Sequence, residues 1–343
     1  MIRVSTAMNI LIIKPGAVGD LLQLTPVLRA VKQKFPAARI TLLVSSGATA
    51  SMFRHNAHVD EVIVYDRRGA HRSLAGFFSL WRQLRRERFD LVVNYQRSNL
   101  KGWMLALAAF PAQILVYRKA RGRVVHAVVN HLEAVAPLGI DPLTTDLHLE
   151  MTVGVEDDAF AADALRRTGL ADKRIVALNP GASNRIKCWP PERFGQLADR
   201  LVNELGVGVV LVGGADERDL AEGILNATSV PVLDLLGKTT LLQLGALLKR
   251  CSLLVSGDTG PLHMATAVGT PVVALFGAID PIRTGPVGEG HRVIRHAELS
   301  CVPCVGRNCR HQPYRECMEL ITVDEVLVVV REMLLSDPSR RGA

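Results

Sequence analysis

The stretches Asn9-Ile-Leu-Ile-Ile-Lys-Pro-Gly-Ala17 and Ile175-Val-Ala-Leu-Asn-Pro-Gly-Ala182 decide the fold. Each is an apolar run that passes through Pro-Gly-Ala into a helical pattern. Runs too apolar to alternate suit strands buried on both faces of a parallel sheet. A buried strand handed through a glycine turn to a helix opens a doubly wound α/β domain. Its recurrence in the second half predicts two such domains.

Outward from these stretches, strand-like runs alternate with helical patterns. Strands are expected at Ile10–Ile13, Ile40–Val44, Val62–Tyr65, Leu91–Asn94 and Gln113–Tyr117, and helices at Asp20–Lys34 and Gly76–Arg88. The second half repeats the alternation, with strands at Ile175–Leu178, Gly208–Val212, Leu253–Ser256 and Val272–Phe276. Helical spacing fills Glu192–Leu205, Asp216–Asn226 and Leu241–Lys249. The polar stretch Glu150–Lys173 is the expected boundary. It gives an N-terminal Rossmann-like domain over 8–160, a C-terminal one over 172–335, and a disordered tail over 336–343. A chain of 343 residues has room for two domains of ordinary size.

Composition excludes several classes. With 48% hydrophobic and 22% charged residues the chain is globular rather than disordered. No apolar run approaches the ~18 residues of a membrane helix. The N-terminus lacks the pattern of a secretory signal, so a cytoplasmic protein is expected. The net charge of +8 is unevenly spread. Residues 1–150 hold 20 Lys and Arg against 10 Asp and Glu, whereas residues 151–343 hold 21 against 23. Between Arg67 and Arg123, 13 basic residues meet only Glu87 and Asp90. A solvated helix face accounts for part of this excess. The rest points to a polyanionic partner: a phosphorylated substrate, an anionic membrane or nucleic acid.

Three turns carry the chemistry. In Lys14-Pro-Gly-Ala-Val-Gly-Asp20, Gly16 and Gly19 allow backbone or ligand to approach closely. Asp20 lies at or near a helix N-cap, where a plain capping role is the alternative to chemistry. In Gly181-Ala-Ser-Asn-Arg-Ile-Lys-Cys-Trp-Pro190, Ser183 and Lys187 precede a helix that starts near Pro190 or Pro191. A hydroxyl, an ammonium and backbone donors converging there suit a pyrophosphate. In Ser256-Gly-Asp-Thr-Gly-Pro-Leu-His263, Asp258, Thr259 and Gly260 fall at the carboxyl end of a strand, where open α/β sheets bind ligands. His263 follows one turn into the next helix.

At these turns the sequence resembles glycosyltransferase family 9, the ADP-heptose:lipopolysaccharide heptosyltransferases, over residues 8–335. Thr25-Pro26, Trp189-Pro190, the run Gly269-Thr-Pro-Val-Val-Ala-Leu-Phe-Gly277 and Asp280-Pro281 complete the likeness. The resemblance implies the GT-B architecture, two Rossmann-like domains facing across a cleft, with the donor held mainly by the second. It implies that Asp20 is the catalytic base and that Ser183 and Lys187 contact the donor phosphates. It gives Asp258, Thr259, Gly260 and His263 to donor binding. Of the acids after Gly213-Gly214, Glu217 and Asp219 are both candidates to hold the donor's ribose. Ala182 stands where the family has a second hydroxyl. On the acceptor side the expected residues are Gly19, Arg67, Arg68 and Arg118.

The implied reaction is an inverting displacement through an oxocarbenium-like transition state, with a carboxylate deprotonating the acceptor hydroxyl. A lysine and helix N-terminal amides stabilise the departing nucleoside diphosphate. No D-x-D triplet is present, so no metal or other cofactor is expected for transfer. The implied partners are ADP-heptose or a similar nucleotide sugar, an acidic lipopolysaccharide core precursor, and the anionic inner-membrane surface, on whose cytoplasmic face the protein would be peripheral.

Cys301, Cys304, Cys309 and Cys317 form a separate group with spacing C-x2-C-x4-C-x7-C. A structural zinc, an iron–sulfur cluster and reduced thiols are the open readings. Two other functions compete with transfer. A sugar-nucleotide epimerase of the same fold would be expected to carry several aligned carboxylates and histidines, which the turns do not show. A nucleic-acid-binding protein would need stacking aromatics, and the chain is 5% aromatic, so no nucleic-acid partner is expected.

Overall fold

A computed structural model describes residues 8–96, 100–110, 112–120, 122–304 and 308–336. The chain divides between Thr152 and Val153 into two compact units. Each is a parallel sheet with helices packed on it.

The first unit holds β1 (Asn9–Ile13), β2 (Arg39–Val44), β3 (Glu61–Val64), β4 (Leu91–Asn94) and β5 (Gln113–Val116), in the order β3-β2-β1-β4-β5. All pairings are parallel, with Ile10 opposite both Ile40 and Leu91. Residues Ile10 to Ile13 are wholly buried, which is why this strand shows no polar alternation. The second unit holds β6 (Ile175–Asn179), β7 (Gly208–Leu211), β8 (Leu233–Asp234), β9 (Leu253–Gly257), β10 (Val272–Leu275) and β11 (Arg292–Ile294). Their order is β11-β10-β9-β6-β7-β8, again all parallel. Both sheets therefore run outward in two directions from their first strand, and β1/β4 and β6/β9 are the points where the winding reverses.

Every strand expected from the sequence is present. The two it lacks, β8 and β11, are edge strands of two and three residues, too short to show a pattern. The helix expected over Asp20–Lys34 is two helices, Val18–Leu22 and Thr25–Lys34. Pro26 lacks the N–H that a continuous helix needs at that position, so the chain restarts there with Pro in its first turn. Helix Pro191–Leu205 follows the same grammar, opening on Pro191 and closing on Gly206 at φ 64°.

The expected linker is largely helical: Val155–Arg167 packs against Leu241–Arg250, and Arg250 clasps Asp158 at 2.7 Å. That helix belongs to the second unit, which starts nearer 153 than 172. Upstream, buried Arg29 donates to the carbonyls of Asp146 (2.7 Å) and His148 (3.0 Å), tying that segment to the first unit. Of the expected tail, Ser336 ends helix Val323–Ser336, and 337–343 lie outside the described residues.

Candidate functional site

The first reversal point gathers a charged network. Lys14 leaves the end of β1 with its side chain only 12% exposed. Its Nζ lies 3.2 Å from His131 Nε2 and 3.7 Å from the Asp20 carboxylate, and it also faces the rings of Tyr95 and Tyr117. Burial lowers the Lys14 pKa, with Asp20 opposing the shift. Burial, and secondarily Lys14, pushes His131 down to about 3. The imidazole is therefore neutral at ordinary pH. Its Nδ1–H donates to the Gln23 carbonyl at 3.2 Å, which leaves Nε2 to accept from the Lys14 ammonium. The Gln23 carbonyl closes the short helix at the break before Thr25, so the proline-forced restart positions this acceptor.

Asp20 lies inside helix Val18–Leu22, three residues past the N-cap Ala17, rather than at the cap itself. One oxygen accepts from the Ala17 amide at 3.4 Å, while the side chain stays 51% exposed. A Cβ on Gly16 would sit 2.8 Å from the Asp20 Cβ, so glycine is what lets the carboxylate fold back over the turn. Gly19 lies in the same helix and gives its carbonyl to Gln23 N at 2.9 Å.

The second reversal point is built from neutral dipoles and one ion pair. Asn179, at the end of β6, donates through Nδ2 to the Val212 carbonyl at 2.9 Å. Its Oδ1 accepts from Ser256 and Thr259, both at 3.0 Å. Thr259 is the N-cap of helix Gly260–Ala267, yet its hydroxyl turns to Asn179 and makes no side-chain cap. Lys187 donates to Asp258 at 2.7 Å, with both side chains mostly buried. Gly257 permits the approach, since a Cβ there would lie 3.3 Å from the Lys187 carbonyl. His263 is buried one turn into the helix.

The acid on the neighbouring turn is Glu217. Its Oε2 accepts from Gly214 N at 3.0 Å, and burial raises its pKa. A Cβ on Gly181 would fall 1.7 Å from Glu217 Oε1, and one on Gly213 2.3 Å from Oε2. Glu217 thus lies against both glycine turns. Asp219, the other candidate, is engaged by Arg185 at 2.6 Å among exposed side chains.

The structure thus brings together Lys187, Asp258, Thr259 and Gly260 with Asn179 and Ser256, and sets Glu217 beside Gly181. Ser183 is exposed two residues beyond Gly181. Arg67, Arg68 and Arg118 are exposed in the loops after β3 and β5, and none joins an ion pair among the described residues. Sequence reasoning assigned no role to Lys14, His131 or Asn179. Lys14 and Asn179 immediately precede the two Pro-Gly turns, a correspondence visible in the sequence, whereas His131 stands in no motif.

None of the cysteines forms a disulfide. Burial pushes the Cys317 thiol up to about 11, helped by nearby Cys304, Cys301 and Cys309. Cys309 Sγ accepts from the Arg315 amide at 3.4 Å. Among the described residues, no set of three or more His, Cys, Asp or Glu side chains is placed to hold a metal ion.

The sequence matches the family model of glycosyltransferase family 9 (heptosyltransferase) over residues 77–315. Lipopolysaccharide heptosyltransferase 3 of Escherichia coli K12 is 28% identical, across 93% of this chain and 96% of its own. The family 9 glycosyltransferase of Veillonella parvula superposes with a TM-score of 0.85 at 23% identity, over 98% of this chain and 99% of that one. The Escherichia coli ADP-heptose lps heptosyltransferase II gives 0.79 at 23% identity, over 96% and 99%. The two parallel-sheet units are thus those of a GT-B fold, and this chain is a glycosyltransferase that belongs to family 9.

Proposed function

We propose that the enzyme transfers a heptose from an ADP-activated donor to a lipopolysaccharide core acceptor, with inversion. The observation that carries this reading is the division of chemistry between the reversal points. One presents a half-exposed carboxylate backed by a lysine, and the other a lysine, hydroxyls and a helix N-terminus. The relatives named for lipopolysaccharide and for ADP-heptose support the two substrates.

Asp20 takes the proton of the acceptor hydroxyl as that oxygen bonds to the anomeric carbon. The bond from that carbon to the diphosphate breaks, and ADP leaves with the electron pair. Lys187 meets the departing charge with the ammonium now held by Asp258, and the first amides of Gly260–Ala267, without a side-chain cap, add their dipoles. Glu217 faces the ribose, and Arg67, Arg68 and Arg118 draw in the acidic acceptor. Among the described residues, no helix is long and apolar enough to cross a membrane. We place the protein in the cytoplasm, peripheral on an anionic membrane that holds the acceptor.

The test pairs purified protein with ADP-heptose and a heptose-truncated lipopolysaccharide. Transfer with inverted anomeric configuration, and no reaction without acceptor, is expected. Conversion of the nucleotide sugar alone, or transfer only from another donor, would overturn the reading.

A further inference from the structure

Two helices of the first unit, Leu74–Arg86 and Leu100–Ala108, expose a stripe of large apolar side chains. On the second helix Leu100, Met104 and Leu107 recur at helical spacing, and Phe110 follows, while Leu105, Ala106, Ala108 and Ala109 are buried. Leu107 is 51% and Phe110 64% exposed. On the first helix Leu74 and Phe78 are exposed in the same register. The two stripes are joined, because Trp81 donates to the Met104 carbonyl at 3.2 Å and Arg85 to the Phe110 carbonyl. Monomeric surfaces rarely leave such a contiguous patch bare without a use.

Charge decides what covers it. The stripe of Leu74 and Phe78 is flanked along the helix by Arg82 and Arg86, both exposed and outside any ion pair among the described residues. Arg72 stands just before the helix, also exposed. A second copy docked through a two-fold axis would set this arginine row near itself, and like charges oppose that. A nucleic acid would gain from the arginines but would leave most of the aliphatic stripe unused. An anionic bilayer satisfies both features: apolar side chains enter the acyl boundary, and guanidiniums meet lipid phosphates.

We propose that Leu74, Phe78, Leu107 and Phe110, rimmed by Arg82 and Arg86, form the surface by which this enzyme docks on an anionic lipid bilayer. This deepens the membrane placement above and rests on that placement for the membrane concerned. Vesicle binding, however, needs neither donor nor acceptor. Binding can therefore fail while transfer to a soluble acceptor survives, and the reverse.

The full chain is sedimented with vesicles of phosphatidylcholine alone, or of phosphatidylcholine with phosphatidylglycerol. Binding to the mixed vesicles only is expected. Phe78→Ser with Leu107→Ser and Phe110→Ser should lower the bound fraction severalfold at every salt concentration. Arg82→Gln with Arg86→Gln should lower it only at low salt, where exposed charges are least screened. Phe110→Trp, which needs no loss of packing, should show a larger blue shift of its indole emission than wild type on adding the mixed vesicles. Unchanged binding by the apolar variant, or no added emission shift in the Phe110→Trp variant, overturns the proposal. So does a wild-type dimer that the apolar variant dissolves while neither binds vesicles.

Discussion

The two units open on the same words and end in different chemistry. In each, the glycine after the first proline is overlain by an acid: Asp20 over Gly16 in the first unit, Glu217 over Gly181 in the second. In each, the residue before that proline anchors the turn. In the first it is Lys14, a cation held by a neutral histidine and aimed at a half-exposed carboxylate. In the second it is Asn179, a neutral amide that ties two strands and a helix N-cap together, while Lys187 is closed onto Asp258. A shared backbone solution thus leaves one unit with a half-exposed carboxylate and the other with its polar side chains tied to one another.

The strongest way to break this contrast is Asp20→Asn. Asn keeps the size and can still accept from the Ala17 amide through Oδ1, but it takes no proton. We expect kcat to fall by roughly 10²–10⁴ with the fold and ADP affinity retained. A folded variant that kept more than about a tenth of normal turnover would leave Asp20 as a helix-turn residue only.

Lys187→Ala examines the other side. ADP affinity should weaken by roughly 1–3 kcal/mol, the range of a lost charge-assisted contact. Because Asp258 would be left mostly buried without its partner, the melting temperature should drop as well. Lys187→Met combined with Asp258→Asn removes both charges and should recover stability without recovering ADP binding. An ADP affinity equal to wild type in either variant would show that the pair is structural.

The central strands of both sheets were legible because full burial on two faces requires uninterrupted apolar residues, as at Ile10–Ile13, whereas the short edge strands β8 and β11 were not. The break at Gln23 and Leu24 was legible only in Pro26, and the helical periodicity across it concealed the restart. His131 was not legible at all. It meets Lys14 across 117 residues of chain, and a lone histidine on a helix carries no spacing that names its partner. Of the two candidate acids after Gly213-Gly214, only the side-chain geometry distinguishes Glu217, against the glycines, from Asp219, bound to Arg185.

His131 supplies a pH test of the first unit. Its folded pKa of about 3 lies below the ordinary 6.5, so between those values the unfolded chain binds a proton that the native chain refuses. The contribution is fully present above pH 6.5 and is lost as the pH falls toward 3. The loss is at most about 1.4 kcal/mol per pH unit. His131→Gln can keep a donor for the Gln23 carbonyl and an acceptor for Lys14, but it does not titrate. Urea denaturation followed from neutral to acid pH should give the variant a shallower decline than wild type. Parallel curves would mean that the imidazole is not held neutral, and that Lys14 has another support.

The smallest expected effect concerns the exposed arginines of the first unit. Arg67, Arg68 and Arg118 are solvated and outside the ion pairs of the described residues, so each is worth under about 1 kcal/mol to a bound anion. Their action is collective and long-ranged, through the field of a half whose charge is +10 while the other half is −2. Arg67→Gln with Arg68→Gln, and separately Arg118→Gln, should raise the acceptor KM severalfold at low ionic strength and hardly at all near physiological salt, where the Debye length is about 8 Å. A flatter salt dependence of the acceptor KM is the mark of lost steering, whereas a general loss of packing would lower kcat at every salt concentration. ADP affinity should stay at the wild-type value, because in the proposed reading the charges removed belong to the unit that does not hold the donor. If ADP affinity falls and the acceptor KM stays fixed, the basic half serves the donor, and the division of labour between the two reversal points is drawn the wrong way round.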